Sequence, residues 1–366
     1  MKITSYIHPQ RAFLPCTGVG RHMNNILYNL GNKHEVELLV ARQWINSKND
    51  QLIGNTPLNE LPIRSFPFPE NITERIWKTA GYPYMDKYVK DADVVYCPEE
   101  TYIPLKNKPL VITIHDIQAF ETNLEWSNSR QHQLFRKKWM VWIKKIVRNK
   151  VPIFTVSTFS KNRMMELLNI PDEQIFVVGN GVEEGFFNTA GNETSPFNYP
   201  YVFIVGGLRY KKGADYVIKV AQKAQKEIPD LKFIVAGEQE VKYNNIAKEL
   251  NNIELLGMVE DLELPRLMRH ASSLLFLSLY EGFGIPAIEA MAAGTPVIAS
   301  NRASLPEIVN KYGVITDPCN TNEIMEYIKT SEVLRKEFEI PGKEYARNYS
   351  WDKISNNVES NLKEII

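Results

Sequence analysis

Short apolar runs alternate with amphipathic helical segments along the chain, and this alternation occurs twice. The runs that fit strands are ITSYIH, EVELLV, DVVYC, LVITIH, IFTVS and IFVVG in the first half, and YVFIVG, KFIVAG, IELLG, LLFLSL and PVIAS in the second. Strands that alternate with helices form parallel sheets with helices on both faces. The pattern therefore predicts an α/β protein of two doubly wound, Rossmann-like domains.

The segment 183–200, EEGFFNTAGNETSPFNYP, is rich in Asn, Gly, Pro and Thr, which is typical of a linker. It separates a first domain over 1–182 from a second domain over 201–349. Ser350, Trp351 and Asp352 begin a terminal helix over 350–366. Doubly wound domains bind ligands at the carboxyl ends of their strands, so we expect the functional site in the cleft between the two domains.

Residues 281–300, EGFGIPAIEAMAAGTPVIAS, carry the most informative pattern in the chain. They follow an apolar run and predict a glycine turn, a short helix and a further strand. Pro286 suits the first helical position, and Gly294 suits the helix end. The backbone N–H groups around Gly284 to Ala287 would then point toward the carboxyl end of the strand, where they could bind an anion.

Two carboxylates flank this predicted anion site: Glu281 in the loop and Glu289 about one turn into the helix. A glycosidic acid/base pair holds its carboxyls about 5–9.5 Å apart. Eight residues along one helix would separate them by about 12 Å, but a loop-plus-helix placement permits other distances, so a hydrolase stays open. The two carboxylates could instead accept hydrogen bonds from the hydroxyls of a sugar and a ribose, or they could be solvated surface groups.

Glu281, the seven residues that follow and Glu289, within FGIPAIEAMAAGTPVIAS, resemble the signature of glycosyltransferase family 4. Members of that family are retaining enzymes of the GT-B fold that use nucleotide-sugar donors. The resemblance implies that Glu281 binds hydroxyls of the donor sugar and that Glu289 binds the ribose. The backbone of Phe283, Gly284 and Ile285 would contact the sugar and the diphosphate, and the terminal helix would cross back onto the first domain.

The run LVITIH ends in His115, which Asp116 follows at the carboxyl end of a predicted strand. A single histidine is usually structural, but the resemblance implies that His115 contacts the donor's sugar hydroxyls. Asp116 either orients the imidazole or caps a helix. Glu99 and Glu100 follow another predicted strand and could bind acceptor hydroxyls or be solvated.

The segment CTGVGRHMNNIL follows the first predicted strand, and Gly18 and Gly20 permit a tight turn before a helix. A nicotinamide-dinucleotide site is disfavoured because Met23 replaces the third glycine of that fingerprint, and the second strand lacks the acidic residue that would bind a ribose. The glycines could simply tighten the strand–helix junction. The resemblance implies that this loop faces the cleft, with Arg21 near the donor phosphates or the acceptor.

The run YVFIVGG is followed by Arg209, Lys211 and Lys212, cations that suit a diphosphate. In the resembled family an arginine and a lysine here neutralise the departing nucleoside diphosphate. Lys212 matches the lysine, but Gly207 occupies the usual arginine position, so Arg209 or Lys211 must substitute. A solvated basic turn is the alternative.

The resemblance also implies that the backbone at Met258 and Val259, after another predicted strand, contacts the nucleotide base. It further implies chemistry without a metal or cofactor, in which the leaving phosphate accepts the acceptor's proton. Asp91 and Asp93 have the spacing by which some glycosyltransferases bind a divalent metal. They precede their strand rather than follow it, so we expect no metal site there.

Charge and cysteine content bear on the class of protein and on its cellular compartment. Lys and Arg total 43, as do Asp and Glu, which argues against a general nucleic-acid binder. Cys16, Cys97 and Cys319 lack metal-ligand spacing and fit buried thiols in a reducing compartment. The N-terminus lacks a signal-peptide pattern, and no apolar stretch approaches 18 residues. We therefore expect a cytoplasmic enzyme.

Residues 130–150, RQHQLFRKKWMVWIKKIVRNK, are basic and lack acidic residues. Phe135, Trp139, Trp142 and Ile146 recur at helical spacing. Such a helix either packs this stripe on the sheet or lies on an anionic membrane. The second possibility would place the enzyme peripherally at the inner face of the membrane.

Together with these patterns, the resemblance implies a retaining hexosyltransferase that uses a UDP- or GDP-linked sugar. The expected acceptor is a saccharide or lipid-linked molecule, in cell-surface polysaccharide or glycolipid synthesis. The rival interpretations are another GT-B-fold enzyme, such as a nucleotide-sugar epimerase or a phosphorylase, and a nucleotide-sugar-binding protein that has lost catalysis.

Overall fold

The computed structural model describes residues 1–13, 17–188 and 194–366. The chain forms two compact units. The first unit comprises Met1–Asn180 together with Trp351–Ile366, and the second comprises Gly181–Ser350. The boundaries expected from sequence, at 182 and 350, lie next to these positions. The described parts of the expected linker, 183–188 and 194–200, lie within the second unit, and Cys16 lies outside the described residues.

The first unit is built on a seven-stranded parallel sheet of order β3-β2-β1-β4-β5-β6-β7. Its strands are β1 (Lys2–Tyr6), β2 (Glu35–Ala41), β3 (Ile63–Phe66), β4 (Val94–Cys97), β5 (Leu110–Thr113), β6 (Ile153–Thr155) and β7 (Ile175–Val177). Sequence patterning missed β3, an edge strand of four residues whose side chains are only partly buried before Phe66. Because all pairings are parallel, the loops that leave β1, β4 and β5 emerge at the same edge of the sheet.

The helices of the first unit are α1 (Gly18–Gly31), α2 (Glu70–Thr79), α3 (Arg130–Arg148), α4 (Thr158–Leu168) and α12 (Trp351–Ile365). Side chains of Thr17, Ser129 and Ser157 accept backbone N–H bonds at the starts of α1, α3 and α4. The expected tight turn at Gly18 and Gly20 is wrong, because both glycines lie in the first turn of α1.

The second unit is built on a six-stranded parallel sheet of order β10-β9-β8-β11-β12-β13. Its strands are β8 (Tyr201–Val205), β9 (Lys232–Ala236), β10 (Ile253–Gly257), β11 (Ser273–Phe276), β12 (Val297–Ser300) and β13 (Val314–Thr316). Its helices are α5 (Ala214–Glu227), α6 (Val241–Lys248), α7 (Leu264–His270), α8 (Ile285–Ala293), α9 (Leu305–Val309), α10 (Thr321–Lys329) and α11 (Ser331–Ala346). Two doubly wound parallel sheets confirm the predicted α/β class with two Rossmann-like domains.

The terminal helix α12 follows the second unit in the chain but belongs to the first. It packs against α1, and its side chains Trp351, Ile354, Val358 and Leu362 are buried. The expectation of buried thiols holds for Cys97 and is wrong for Cys319, which is exposed. Across the described ranges, no helix is both long and apolar enough to cross a membrane.

Candidate functional site

In the first unit, His115 lies just beyond the carboxyl end of β5 and is held through both its ring and its backbone. Its Nε2 lies 3.1 Å from the carbonyl oxygen of Pro98, and its backbone N–H donates to Glu100 Oε1 at 3.1 Å. The hydroxyl of Ser160, at the start of α4, donates to the His115 carbonyl at 3.4 Å. The side chain is therefore buried and fixed at the sheet edge where doubly wound folds bind ligands.

A second histidine, His22 on α1, packs edge-on against His115, with ring centroids 4.8 Å apart. Burial, and next the charge of His115, hold the pKa of His22 well below its usual value, so this ring is neutral. Sequence patterning missed His22 because it occupies an ordinary buried position of an amphipathic helix. Its ring helps to hold the His115 ring in place.

The structure shows the contacts of the other first-unit residues that the sequence singled out. Asp116 Oδ1 accepts the backbone N–H of Gln118 at 2.9 Å, although the N-cap of the short 3-10 helix Gln118–Phe120 is Ile117. Glu99 and Glu100 are not solvated loop groups, because Arg11 pairs with both at 3.0 Å. Arg21 follows the glycines in the first turn of α1, where its backbone N–H bonds to Thr17.

In the second unit, the loop after β8 carries the basic residues. Arg209 pairs with Glu238, its Nη2 lying 2.6 Å from Oε2, and roughly half of the arginine side chain is exposed. Lys211 lies in the same turn and its carbonyl accepts the backbone N–H of Leu279, which ties the turn to the loop after β11. The two loops therefore carry their charges at one edge of the sheet.

Lys212 reaches across to that neighbouring loop. Its Nζ lies 2.5 Å from Glu281 Oε1, and both side chains remain partly exposed. The two residues are 69 positions apart in the chain, and the sheet order places β8 beside β11. A solvent-accessible cation and a carboxylate thus meet directly before α8.

The loop 281–284 is held by a residue that the sequence did not single out. The hydroxyl of Ser304 contacts the carbonyl oxygens of Glu281 at 3.0 Å and Phe283 at 2.7 Å. Gly284 precedes α8 with φ +107°, and a Cβ there would lie 2.6 Å from Leu305. This conformation directs the chain sharply into the helix.

Helix α8 begins at Ile285, one residue before the predicted Pro286, which lies in its first turn, and the predicted end at Gly294 is confirmed. The expected set of free N–H groups is smaller than the sequence suggested. Pro286 has no N–H, and the N–H of Ala287 donates to the Gly284 carbonyl at 3.0 Å. An anion at this helix start could use the N–H groups of Gly284 and Ile285.

The other residues of the second unit that were predicted to bind the donor sugar nucleotide differ in how exposed they are. Glu289 is buried, with 1% of its surface exposed, so it is not a solvated group on an outer helix face. Phe283 is also buried and packs edge-on against Tyr349. Met258 is exposed and Val259 half-buried after β10, and the carbonyl of Gly257 accepts the N–H of Gly237 at 2.6 Å.

Comparison with known proteins identifies the family. Residues 17–186 match the model of Glycosyltransferase Family 4, and residues 188–347 match that of Glycosyl transferases group 1. An uncharacterized glycosyltransferase of Methanocaldococcus jannaschii is 32% identical over 272 residues, which are 71% of each chain. The chain belongs to glycosyltransferase family 4. It is therefore a glycosyltransferase, as predicted.

Two further relatives of this glycosyltransferase extend the comparison. The O-antigen chain mannosyltransferase B of Escherichia coli is 27% identical over 277 residues, again 71% of each chain. Among solved structures, the Anabaena protein HepE in complex with UDP-glucose aligns over 100% of both chains, with a TM-score of 0.74 and 18% identity. The similarity to HepE shows a shared fold.

Proposed function

We propose that this glycosyltransferase moves a hexose, with retention of configuration, from a UDP- or GDP-linked sugar to a saccharide or lipid-linked acceptor. The observation that carries the proposal is the Lys212–Glu281 pair before α8. It sets a cation for the diphosphate beside a carboxylate for sugar hydroxyls, at the start of a helix whose dipole favours an anion. The relatives support the class, since one acts as a mannosyltransferase on an O-antigen chain and one fold neighbour is solved with UDP-glucose.

The pair would exchange partners when the donor binds. Lys212 would turn from Glu281 to the diphosphate, and Glu281 would accept hydrogen bonds from the sugar. Arg209, half-exposed beside Glu238, would add a second positive charge. Charge develops on the diphosphate as the glycosidic bond breaks, so these preorganised groups would stabilise the transition state more than the ground state.

The remaining donor contacts would come from residues placed at strand ends and helix starts. These are His115 and Asp116 after β5; Gly18, Gly20 and Arg21 on α1; Gly207 and Lys211 after β8; Met258 and Val259 after β10; and Phe283, Gly284, Ile285 and Glu289 around α8. The diphosphate oxygen would accept the proton of the attacking hydroxyl on the same face of the sugar. The cations and the helix start would supply the charge stabilisation, so this step uses no divalent metal or other cofactor.

Replacing Lys212 tests this function. We expect Lys212→Ala to lower kcat for sugar transfer by about 10²–10³-fold, the loss typical of one preorganised electrostatic group. Lys226→Ala, at an exposed position of α5, is the matched control and should leave kcat unchanged. Calorimetry with UDP and GDP would identify the nucleotide. Equal turnover of the two variants would refute the phosphate role of Lys212.

Product analysis separates the rival reactions. Proton NMR of the product should show the same anomeric configuration as the donor, whereas an inverted product would refute retention. Incubation of the donor without an acceptor should leave its sugar unchanged. Appearance of an epimerised sugar would favour the epimerase, and nucleotide binding without turnover on a broad acceptor panel would favour the inactive binding protein.

We also propose that the enzyme works in the cytoplasm, in cell-surface polysaccharide or glycolipid synthesis, and that α3 contacts an anionic membrane. The C-terminal half of α3 packs on the core through Trp142, Ile143 and Ile146, while Leu134 and Phe135 in its N-terminal half are 58% and 47% exposed. Exposed apolar side chains also occur on α2 and in the loop after it: Ile72, Ile76, Tyr82 and Tyr84. Lys145 on α3 bonds to the Trp77 carbonyl, so the two helices are neighbours. Exposed apolar side chains on two neighbouring helices, one of them basic, suit an anionic interface.

A further inference from the structure

We infer that His8, Glu70 and Glu74 form a binding site for a divalent transition-metal ion, with Zn²⁺ the best match. The three residues lie in the first unit, and one ligand atom from each lies within 4.8 Å of the others. His8 follows β1, and the two glutamates lie one turn apart on α2. Residues four apart on a helix share a face, so both carboxylates of α2 point at the loop after β1.

The distances converge on a single imidazole nitrogen. Nε2 of His8 lies 3.0 Å from Glu70 Oε1 and 2.5 Å from Glu74 Oε1. One imidazole nitrogen and two carboxylate oxygens form a mixed donor set that Zn²⁺ accepts, at about 2.0–2.2 Å from each atom. For both atoms to bind one tetrahedral ion, His8 Nε2 and Glu74 Oε1 would have to move apart by roughly 0.8 Å.

Each of the three ligands is oriented by a partner on its far side. His8 Nδ1 faces Glu99 Oε1 at 2.9 Å, which leaves Nε2 to face the two glutamates of α2. Trp44 donates its indole N–H to Glu70 Oε2, and Lys78 donates to Glu74 Oε2 at 3.0 Å. A carboxylate on the second nitrogen of a histidine and hydrogen bonds to the outer carboxylate oxygens are the supports usually found around metal ligands.

The charge of the cluster favours a dication. Its carboxylates are Glu70, Glu74, Glu99 and Glu100, and the cations paired with them are Arg11 and Lys78. Leaving His8 aside, the four carboxylates and two cations sum to two negative charges in excess, and Glu70 and Glu99 are buried. Buried charge is costly unless it is compensated, and one divalent ion compensates it completely.

A buried hydroxyl provides a second, independent observation. Tyr6 is 1% exposed, its ring lies 5.4 Å from that of His8, and its hydroxyl has no hydrogen-bond partner among the described residues. A water on the fourth position of the metal would give this hydroxyl the partner that it lacks.

The ion would link the start of α2 to the loop after β1, which is a structural role. It is independent of the proposed transfer chemistry, whose cations Arg209 and Lys212 belong to the second unit. The competing occupant of the same position is a second proton on the His8 ring. A proton there would leave the intact protein without stoichiometric uptake of Zn²⁺.

Titration of the untagged, chelator-treated full chain with Zn²⁺ by calorimetry tests the site. We expect one Zn²⁺ per chain and much weaker binding of Mg²⁺, which prefers all-oxygen sites. Glu70→Gln and Glu74→Gln should each weaken Zn²⁺ binding at least about tenfold, since even outer partners of a metal site contribute that much. Glu60→Gln, an exposed glutamate of the same unit, is the matched control and should bind Zn²⁺ like the wild type.

Circular dichroism of each variant would separate loss of metal from loss of fold. If the glutamine variants fail to fold, Co²⁺ bound to the wild-type chain still reports the site through its d–d absorption bands, which are intense for tetrahedral coordination. Absence of stoichiometric Zn²⁺ uptake by the wild type overturns the inference. Uptake that survives in both folded glutamine variants also overturns it.

Discussion

Gly207 lies where two loops of the second unit touch. Its backbone has φ +74°, and a Cβ at this position would lie 1.8 Å from the carbonyl oxygen of Glu238. Neither the backbone conformation nor the space permits a side chain. The arginine that the family resemblance places here therefore cannot be accommodated, and Arg209, which pairs with Glu238, is the neighbouring cation.

The first prediction compares two left-handed glycines of the second unit. Gly257 has φ +69°, but a Cβ added there would meet no atom within 4 Å, so Gly257→Ala should cost only the left-handed strain, about 1–2 kcal/mol. Gly207→Ala adds a backbone clash and should cost about 3 kcal/mol or more. Urea unfolding of both variants measures the difference. Equal losses would show that the two loops move apart freely.

Other single residues differ in how far the sequence revealed them. Lys212 and Glu281 were named from motifs, and the structure brings them into contact. Their functional roles stay predictions. His22 and Ser304 gave no local signal, because a buried helical histidine and a loop serine are common. Only the structure shows that His22 packs against the ring of His115 and that Ser304 donates to a carbonyl of the 281–284 loop.

Helices α8 and α12 show what local sequence can predict about an element and what it cannot. The limits of α8 follow from local chemistry, with Pro286 in its first turn and Gly294 at its end. The start of α12 at Trp351 was also readable from the chain. Its place on the first domain was implied only by the family resemblance, because an amphipathic stripe shows that a helix is buried on one side but does not show which element covers it.

The second prediction concerns the packing of α12 on α1. Leu362 is fully buried, so Leu362→Ala should destabilise the first unit by about 2–5 kcal/mol through lost burial and a cavity. Ile340→Ala on α11 is the control, since Ile340 is 70% exposed and should cost under about 0.5 kcal/mol. Scanning calorimetry would record the shift. A Leu362→Ala protein that unfolds like the control would contradict the packing role.

For the whole molecule, balanced charge conceals local asymmetry. Basic and acidic residues number 43 each, yet residues 130–150 contain no acidic side chain. Global net charge therefore excludes a general polyanion binder without excluding a local anionic surface. The structure adds that apolar side chains of α3 are exposed beside these basic groups.

The third prediction tests membrane contact by co-sedimentation with vesicles. The full chain should bind vesicles containing phosphatidylglycerol, bind neutral phosphatidylcholine vesicles less, and lose binding as salt screens the charges. The double variant Leu134→Ser, Phe135→Ser should bind several-fold less. The double variant Leu262→Ser, Val333→Ser removes exposed apolar groups of the second unit and should bind normally. Equal binding by both variants would rule out α3 as the contact.

The sequence alone determined the class of fold and the main elements, because strand alternation, helix periodicity and capping residues act over a few positions. It missed the short strands β3 and β13, where those local signals are weak. The tertiary structure decided which distant residues meet. Strand order places β1 beside β4 with Ile3 opposite Val94, and this brings His8 to Glu99. The packing of α2 at the same edge brings Glu70 and Glu74 to His8, a cluster that no spacing in the chain encodes.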